Sequence, residues 1–129
     1  CKVNFFLDEL PEDETKLTVK GNAPFLKTCF LNLMENACKF SSDKTVTVKL
    51  FSKQEQIIVQ FADNGIGIHK NDLPYIFEPF YRSKNSINTK GYGIGLSLVQ
   101  KIILLHRAQI KVDSELNAGT TFTLVFPLN

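Results

Sequence analysis

The sequence has no tryptophan and a single methionine, and its three cysteines include no CxxC pair. An odd cysteine count without that spacing speaks against a disulfide framework and against a zinc site built on cysteine. Placed on one helix, Cys29 and Cys38 would stand about 13 Å apart on opposite faces, too far to bridge. The expectation is therefore three free thiols, which fits a reducing cytoplasm. No apolar run approaches the roughly 20 residues of a membrane span, and no signal-peptide pattern opens the chain. An excess of one charge is lacking too. With 15 basic and 13 acidic side chains the net charge is +2, too little to imply nucleic acid.

What remains is the composition of a folded domain. The 129 residues are 43% hydrophobic and 22% charged, which argues for one globular unit and against disorder. A chain this long buries about two-thirds of its unfolded surface and needs no staples. It starts at Cys1 and holds only Met34 as methionine. It reads as a single domain, 1–129, excised from a longer protein.

Residues 2–9 and 16–20 read as short strands around an acidic turn, Pro11-Glu12-Asp13-Glu14. Residues 23–40 switch to helical spacing through Phe25, Cys29, Leu33, Ala37 and Phe40, with Pro24 in the first turn. Residues 45–51 and 56–61 alternate, are rich in β-branched side chains, and suggest a hairpin. A glycine-containing loop at 63–68 leads to a short helix near 71–76. Residues 77–92 show no period and end in glycines, the mark of a long mobile loop with a function. Residues 94–107 return to helical spacing through Leu98, Ile102 and Leu105, and 109–113 with 120–126 form a closing strand pair. This order predicts an α/β (α+β) two-layer sandwich: a mixed, mostly antiparallel sheet covered on one face by about three helices. Strict βαβ alternation, as in a dinucleotide-binding fold, is absent.

Three segments carry chemistry. On the first helix Asn32, Asn36 and Lys39 share an arc of roughly 60°. Asparagine competes for backbone hydrogen bonds inside a helix, so two of them at i and i+4 need a reason. The stripe is either a solvated face or a set of amide oxygens for a hard cation such as Mg²⁺, with Lys39 as a point charge for phosphate. Asp63-Asn64-Gly65-Ile66-Gly67 follows an apolar strand. An Asn-Gly pair is also an ordinary hairpin turn, but the residues after it do not continue as a partner strand. Closely spaced glycines admit a ligand to the backbone, and a strand-end aspartate can accept from a base amino group. Gly91-Tyr92-Gly93-Ile94-Gly95 opens the second long helix, where free N–H groups and the helix dipole suit an anion. Residues 79–112 contain no Asp or Glu but carry Arg82, Lys84, Lys90, Lys101, Arg107 and Lys111. That asymmetry favours phosphates.

Together these segments resemble the ATP-binding catalytic domain of sensor histidine kinases, in the Bergerat-fold ATPase and kinase superfamily. The run Asn32-Leu33-Met34-Glu35-Asn36-Ala37-Cys38-Lys39-Phe40-Ser41 resembles the N box, and Asp63-Asn64-Gly65-Ile66-Gly67-Ile68 resembles G1. Ile76-Phe77-Glu78-Pro79-Phe80-Tyr81-Arg82 is similar to the F box, Gly91-Tyr92-Gly93-Ile94-Gly95-Leu96 to G2, and Gly119-Thr120-Thr121-Phe122 to the terminal motif. Five boxes in order make the resemblance specific.

The resemblance implies a site. ATP would be held by Asn32, Asn36, Lys39, Phe40, Asp63, Gly65, Gly67, Ile68, Phe77, Phe80, Arg82, Gly91, Tyr92, Gly93, Ile94, Gly95, Leu96 and Thr120. Asp63 would bind the adenine amino group, with Gly67 leaving room for the base and Phe40 packing on it. Asn36, helped by Asn32, would coordinate Mg²⁺, and Lys39 would meet phosphate. Residues 77–92 would be the ATP lid, anchored by Phe77 and Phe80, with Arg82 reaching the γ-phosphate. Asn36, Lys39 and Arg82 are thus the expected catalytic residues. Asn117 stands where the family often has glycine, which suits asparagine's tolerance of left-handed backbone.

Hydrolytic members of the superfamily carry a glutamate four residues before the metal asparagine. Here that position is Asn32, which cannot act as a general base, and Glu35 lies about 100° away from Asn36 around the helix. Transfer to a protein side chain is therefore expected. The acceptor is not in this chain: His69 and His106 both read as structural or surface residues. The implied partners are the phosphoacceptor histidine domain of the parent kinase and a downstream response regulator, with no nucleic acid. The isolated domain is expected to be a monomer, cytoplasmic, from a homodimeric parent that can be anchored in the inner membrane. The competing readings are a degenerate nucleotide-binding regulatory domain and an anti-sigma-type serine/threonine kinase of the same superfamily.

Overall fold

Apolar residues at every second position of 46–50, 57–61 and 122–126 give the sheet one buried face, and helical stripes in 29–37 and 99–103 cover it. The computed structural model describes residues 1–8, 10, 12, 18–81 and 95–127. Its elements in chain order are β1 (Lys2–Asp8), α1 (Ala23–Phe40), β2 (Ser41–Lys53), β3 (Gln56–Gly65), a single 3-10 turn (Leu73–Tyr75), α2 (Gly95–Leu105), β4 (Gln109–Glu115) and β5 (Gly119–Pro127). The five strands form one sheet in the order β1-β2-β3-β5-β4. β1 runs parallel to β2, and every other pair is antiparallel.

The core joins Cys29, Leu33 and Ala37 of α1 to Val99, Ile102 and Ile103 of α2, over Val46, Val48, Ile57, Val59, Phe61, Phe122, Leu124 and Phe126. Phe30 adds ring contacts to Phe61 at 6.0 Å and Phe126 at 6.4 Å. Asn22 caps α1, its side chain accepting from the Phe25 N–H at 3.0 Å. His106, just past α2, ties the two helices together. Its Nε2 accepts from the Asn22 N–H at 2.9 Å and its Nδ1 lies 2.7 Å from the Ile102 carbonyl. Only the neutral tautomer protonated on Nδ1 makes both bonds. The β2–β3 hairpin closes through Gln54 and Glu55, both at positive φ (51° and 61°), without the glycine such turns favour.

The sheet and its closing strand pair match the expected architecture, with three differences. The expected third helix is only the 3-10 turn, so two helices stand among the described residues. Of the expected strand at 16–20, Lys16 and Leu17 lie outside the described residues, and 18–20 carry no strand. The partner of β1 is instead β2, in parallel. The third difference concerns the cysteines. Cys1 and Cys38 form a disulfide, with Cα atoms 5.9 Å apart. The expectation of three free thiols is thus overturned for two of them. The reason is topological: α1 passes directly into β2, and β1 pairs with β2 from Lys2 opposite Thr45. The start of β1 therefore lies beside the last turn of α1, a proximity that helical spacing of Cys29 and Cys38 does not address. Cys29 remains free and buried, and burial pushes its thiol up to about 12. No helix among the described residues is long and apolar enough to cross a membrane.

Candidate functional site

One cross-strand row on the helix-covered face breaks the apolar pattern. Rows through Val48, Phe61, Phe122 and Val112, and through Leu50, Val59, Leu124 and Ile110, are wholly apolar. The next row toward the end of the sheet reads Val46, Asp63, Thr120, Ser114. Three neighbouring strands thus each place a polar side chain at one end of the core.

Asp63 is only 9% exposed. Burial raises its carboxyl above the ordinary value, the nearby negative charge of Asp43 adds to this, and backbone N–H groups of Gly65 and Thr120 oppose it. The Gly65 N–H reaches Oδ1 at 2.8 Å. A carboxylate left in an apolar setting with two fixed donors is poised to accept one more from a ligand.

The loop after β3 docks on the β4–β5 turn. The Asn117 N–H bonds to the Ile66 carbonyl at 2.9 Å, and the Ile68 N–H to the Ser114 hydroxyl at 2.7 Å. Gly67 has φ +72°, and a Cβ there would lie 2.1 Å from the Glu115 carbonyl oxygen. Its lack of a side chain is therefore required by this backbone contact, whatever a ligand adds. Gly119, at φ +124°, comes equally close to the Asp63 carbonyl. Asn117 has φ 62°, the left-handed conformation anticipated for it.

Asn32, Asn36 and Lys39 lie on the flank of α1, about 60–120° around from Leu33 at the centre of the buried stripe. The two asparagines are half-buried and Lys39 is exposed in the last turn. Glu35 is exposed, on the side away from the core. The end of α1 meets the Asp63 loop directly. The Ile66 N–H bonds to the Phe40 carbonyl at 3.3 Å, and Ser41 pairs with Gly65. The chain therefore brings half-buried Phe40, Asp63, Gly65, Gly67, Ile68 and Thr120 to one end of the sheet, with Lys39 and Asn36 in the last turns of the helix that ends there and Asn32 one turn further back. Among the described residues no cluster of three or more His, Cys, Asp or Glu side chains could hold a metal. A hard cation here would need neutral amide oxygens together with oxygens supplied by a ligand, a donor set that suits Mg²⁺.

Of the expected lid, residues 77–81 are described; Arg82, Gly91, Tyr92, Gly93 and Ile94 lie outside the described residues. Phe77 packs edge-on against Phe122, ring centroids 6.5 Å apart. Tyr81 donates its hydroxyl to Asp72 and stacks near Tyr75 at 5.7 Å. The Asp72 carboxylate holds the Tyr81 phenol above its ordinary value. Phe80 is 74% exposed, so of the two phenylalanines expected to anchor this segment only Phe77 does. A left-handed backbone at Phe80 (φ 67°) aims it away from the core. Gly95 begins α2 and Leu96 packs against the core. His69 accepts from the Asn71 N–H at 3.0 Å and serves the turn before the 3-10 segment.

Sequence reasoning missed Ser114, and named Tyr81 only within the F-box run, without its bond to Asp72. The signal for Ser114 was present: it continues the inward register of Ile110 and Val112 with a hydroxyl.

Comparison with known proteins places these features. A family model described as histidine kinase-, DNA gyrase B-, and HSP90-like ATPase matches residues 21–129. The sensor protein RprX of Bacteroides fragilis is 40% identical over 121 residues, covering 90% of this chain and 23% of that protein. The signal transduction histidine-protein kinase ArlS of Staphylococcus aureus is 40% identical over 113 residues, covering 85% of this chain and 25% of that protein. The chain thus spans about a quarter of the length of these relatives. Among solved structures, the mycobacterial sensor histidine kinase MprB superposes with a TM-score of 0.79 at 26% identity, covering 98% of this chain and 83% of that one. The nucleotide-free catalytic domain of the histidine kinase ThkA gives 0.77 at 25% identity, covering 98% and 78%. The chain belongs to the histidine kinase-, DNA gyrase B- and HSP90-like ATPase family, on the sensor histidine kinase branch.

Proposed function

We propose that this chain binds MgATP and donates the γ-phosphate to a histidine on a separate phosphoacceptor domain of a two-component sensor kinase. The observation that carries the reading is the buried Asp63 carboxylate, which ends the apolar inward register of β3 beside the last residue of the asparagine-bearing helix. In this reading Asp63 accepts a hydrogen bond from the adenine amino group, held in place by the Gly65 and Thr120 N–H groups. Phe40 and Ile68 flank the base. Bound Mg²⁺ would neutralise and orient the phosphates, as in other phosphoryl transfers. Asn36 and Asn32 offer it their amide oxygens, and Lys39 places an ammonium by the phosphate chain. Residues 77–92 act as the lid of a single domain spanning 1–129, contributing Phe77, Phe80, Arg82, Gly91, Tyr92, Gly93 and Ile94 to the nucleotide, with Gly95 and Leu96 from α2.

The residue types favour transfer over hydrolysis. Asn32 carries no base, and Glu35 faces away from the core. The acceptor histidine and the response regulator downstream belong to the rest of the pathway, with the chain as a monomeric, cytoplasmic part of a membrane-anchored, homodimeric parent. The test combines thermal unfolding with ATP, with and without Mg²⁺, and phosphate transfer to a supplied histidine-bearing helical hairpin. A Mg²⁺-enhanced shift and phosphohistidine formation support the proposal. No shift at millimolar ATP in a folded chain would assign it to a regulatory domain, and phosphoserine or phosphothreonine on a partner would reassign the acceptor.

A further inference from the structure

We infer that Ser114 is a positioning residue for the base end of the nucleotide site, acting through Thr120 and the loop after Asp63. The inference rests on the nucleotide reading above and adds a residue to it. Ser114 ends the inward register of β4, directly opposite Thr120, which is itself directly opposite Asp63. Its hydroxyl makes three contacts: the Ile68 N–H at 2.7 Å, the Thr120 hydroxyl at 2.7 Å and the Gly119 carbonyl at 3.1 Å.

Proton accounting shows what this hub does. A serine hydroxyl has one proton and two acceptor lone pairs. The Ile68 N–H takes one lone pair. Gly119 can only accept, so the Ser114 proton goes either to Gly119 or to Thr120. In the first case Thr120 spends its own proton on Ser114 and keeps only lone pairs for a ligand. In the second it receives the Ser114 proton and stays free to donate. Ser114 thus governs how the 7% exposed Thr120 hydroxyl faces the site. It also fixes both segments that hold the Asp63 donors in place: Thr120 supplies a backbone N–H to that carboxylate, and the loop running from Gly65 to Ile68 is tied down at Ile68. Removing the hydroxyl leaves the Ile68 N–H without this partner and releases Thr120, whereas the apolar rows beneath stay intact.

The test measures ATP affinity calorimetrically for the 129-residue chain, well below its unfolding temperature, in wild type, Ser114→Ala, Ser114→Cys and Ser114→Thr. Asn22→Ala, which removes the helix cap at the opposite end of α1, is the control for destabilisation alone. Ser114→Ala and Ser114→Cys are expected to weaken ATP binding about tenfold, the size of one hydrogen bond's net loss. Ser114→Thr keeps the hydroxyl and is expected to stay within about twofold, and Asn22→Ala is expected to bind like wild type. Wild-type affinity in Ser114→Ala, or in Ser114→Cys should the alanine variant not fold, overturns the inference. So does an equal loss in Ser114→Thr, which would assign the effect to packing, or an equal loss in Asn22→Ala. If wild type itself binds no ATP, the nucleotide reading falls and the inference with it; binding by wild type with unchanged Ser114 variants defeats the inference alone.

Discussion

Asp63 stands directly opposite Thr120 on the β3–β5 ladder, and the Thr120 backbone N–H supports the very carboxylate that burial disfavours. The pair sets stability against binding. Because burial raises the Asp63 value, the folded state holds its proton to higher pH than the unfolded chain does. Between the ordinary carboxylate value and the raised one the folded state binds more protons, so this group's contribution to stability falls as pH rises. Ionised Asp63 is the better acceptor for a base amino group, so ATP affinity is expected to rise through the same window. Unfolding and calorimetric titrations from the ordinary carboxylate value, about 4, upward to neutrality check the opposed slopes.

Asp63→Asn removes that charge while keeping an oxygen for the Gly65 N–H. The variant is expected to unfold no lower than wild type at neutral pH, yet to lose the ATP-induced shift. A ligand at 100 times its dissociation constant adds about 2.7 kcal/mol, a shift of several degrees in wild type. An ATP shift retained by Asp63→Asn would remove this residue from the base site.

Gly67→Ala is expected to fail differently. Its Cβ would meet the Glu115 carbonyl at 2.1 Å from a left-handed backbone. The strain of that backbone alone costs about 1–2 kcal/mol, so loss of ATP binding should come with a lowered unfolding temperature. Thermal melts of the two variants side by side separate a ligand contact from a backbone requirement.

Asn36→Ala tests the cation flank. Half-buried and outside the core stripe, Asn36 is expected to be replaceable with little change in stability. The Mg²⁺ enhancement of ATP binding should disappear, and phosphate transfer should fall by on the order of a hundredfold, as when one preorganised electrostatic partner is lost. ATP binding measured in a chelator should hardly move.

Thiol titration checks the disulfide. Native chain is expected to show no reactive thiol, because Cys29 is buried with its thiol pushed up to about 12 and the other two cysteines are bonded. Unfolding without reductant should release one thiol, and unfolding with reductant three. Cys38→Ser is expected to cost about 2–4 kcal/mol, since the bridge closes a loop across a separation of 37 residues.

Much of this molecule was legible from periodicity and spacing. The bounds of α1 at Ala23 and Phe40 follow from its apolar stripe and Pro24; motif resemblance named Asp63 and Thr120 as candidates, and the fold sets them side by side on neighbouring strands. What escaped was long-range. The apolar alternation of residues 2–8 says strand but not which neighbour, so the parallel pairing with β2 and the Cys1–Cys38 bridge it permits stayed hidden. Phe80 escaped for a local reason: nothing in its side chain announces a left-handed backbone. Ser114 escaped because one hydroxyl in an apolar register is ambiguous until the facing strand supplies Thr120.

The helix that carries Asn36 hands over to β2 without a single connecting residue, Ser41 at once capping the helix and opening the strand. A hinge needs residues free to change their backbone angles, and this joint has none to spare. Ser41 is bridged to Gly65, Phe40 holds the Ile66 N–H, and Cys38 is bonded to the start of β1. The asparagine flank and the Asp63 carboxylate therefore behave as the two jaws of a fixed gauge. If the proposed nucleotide lies between them, it meets a preset span, and adjustment to a longer or shorter phosphate chain falls to parts of the protein outside that joint.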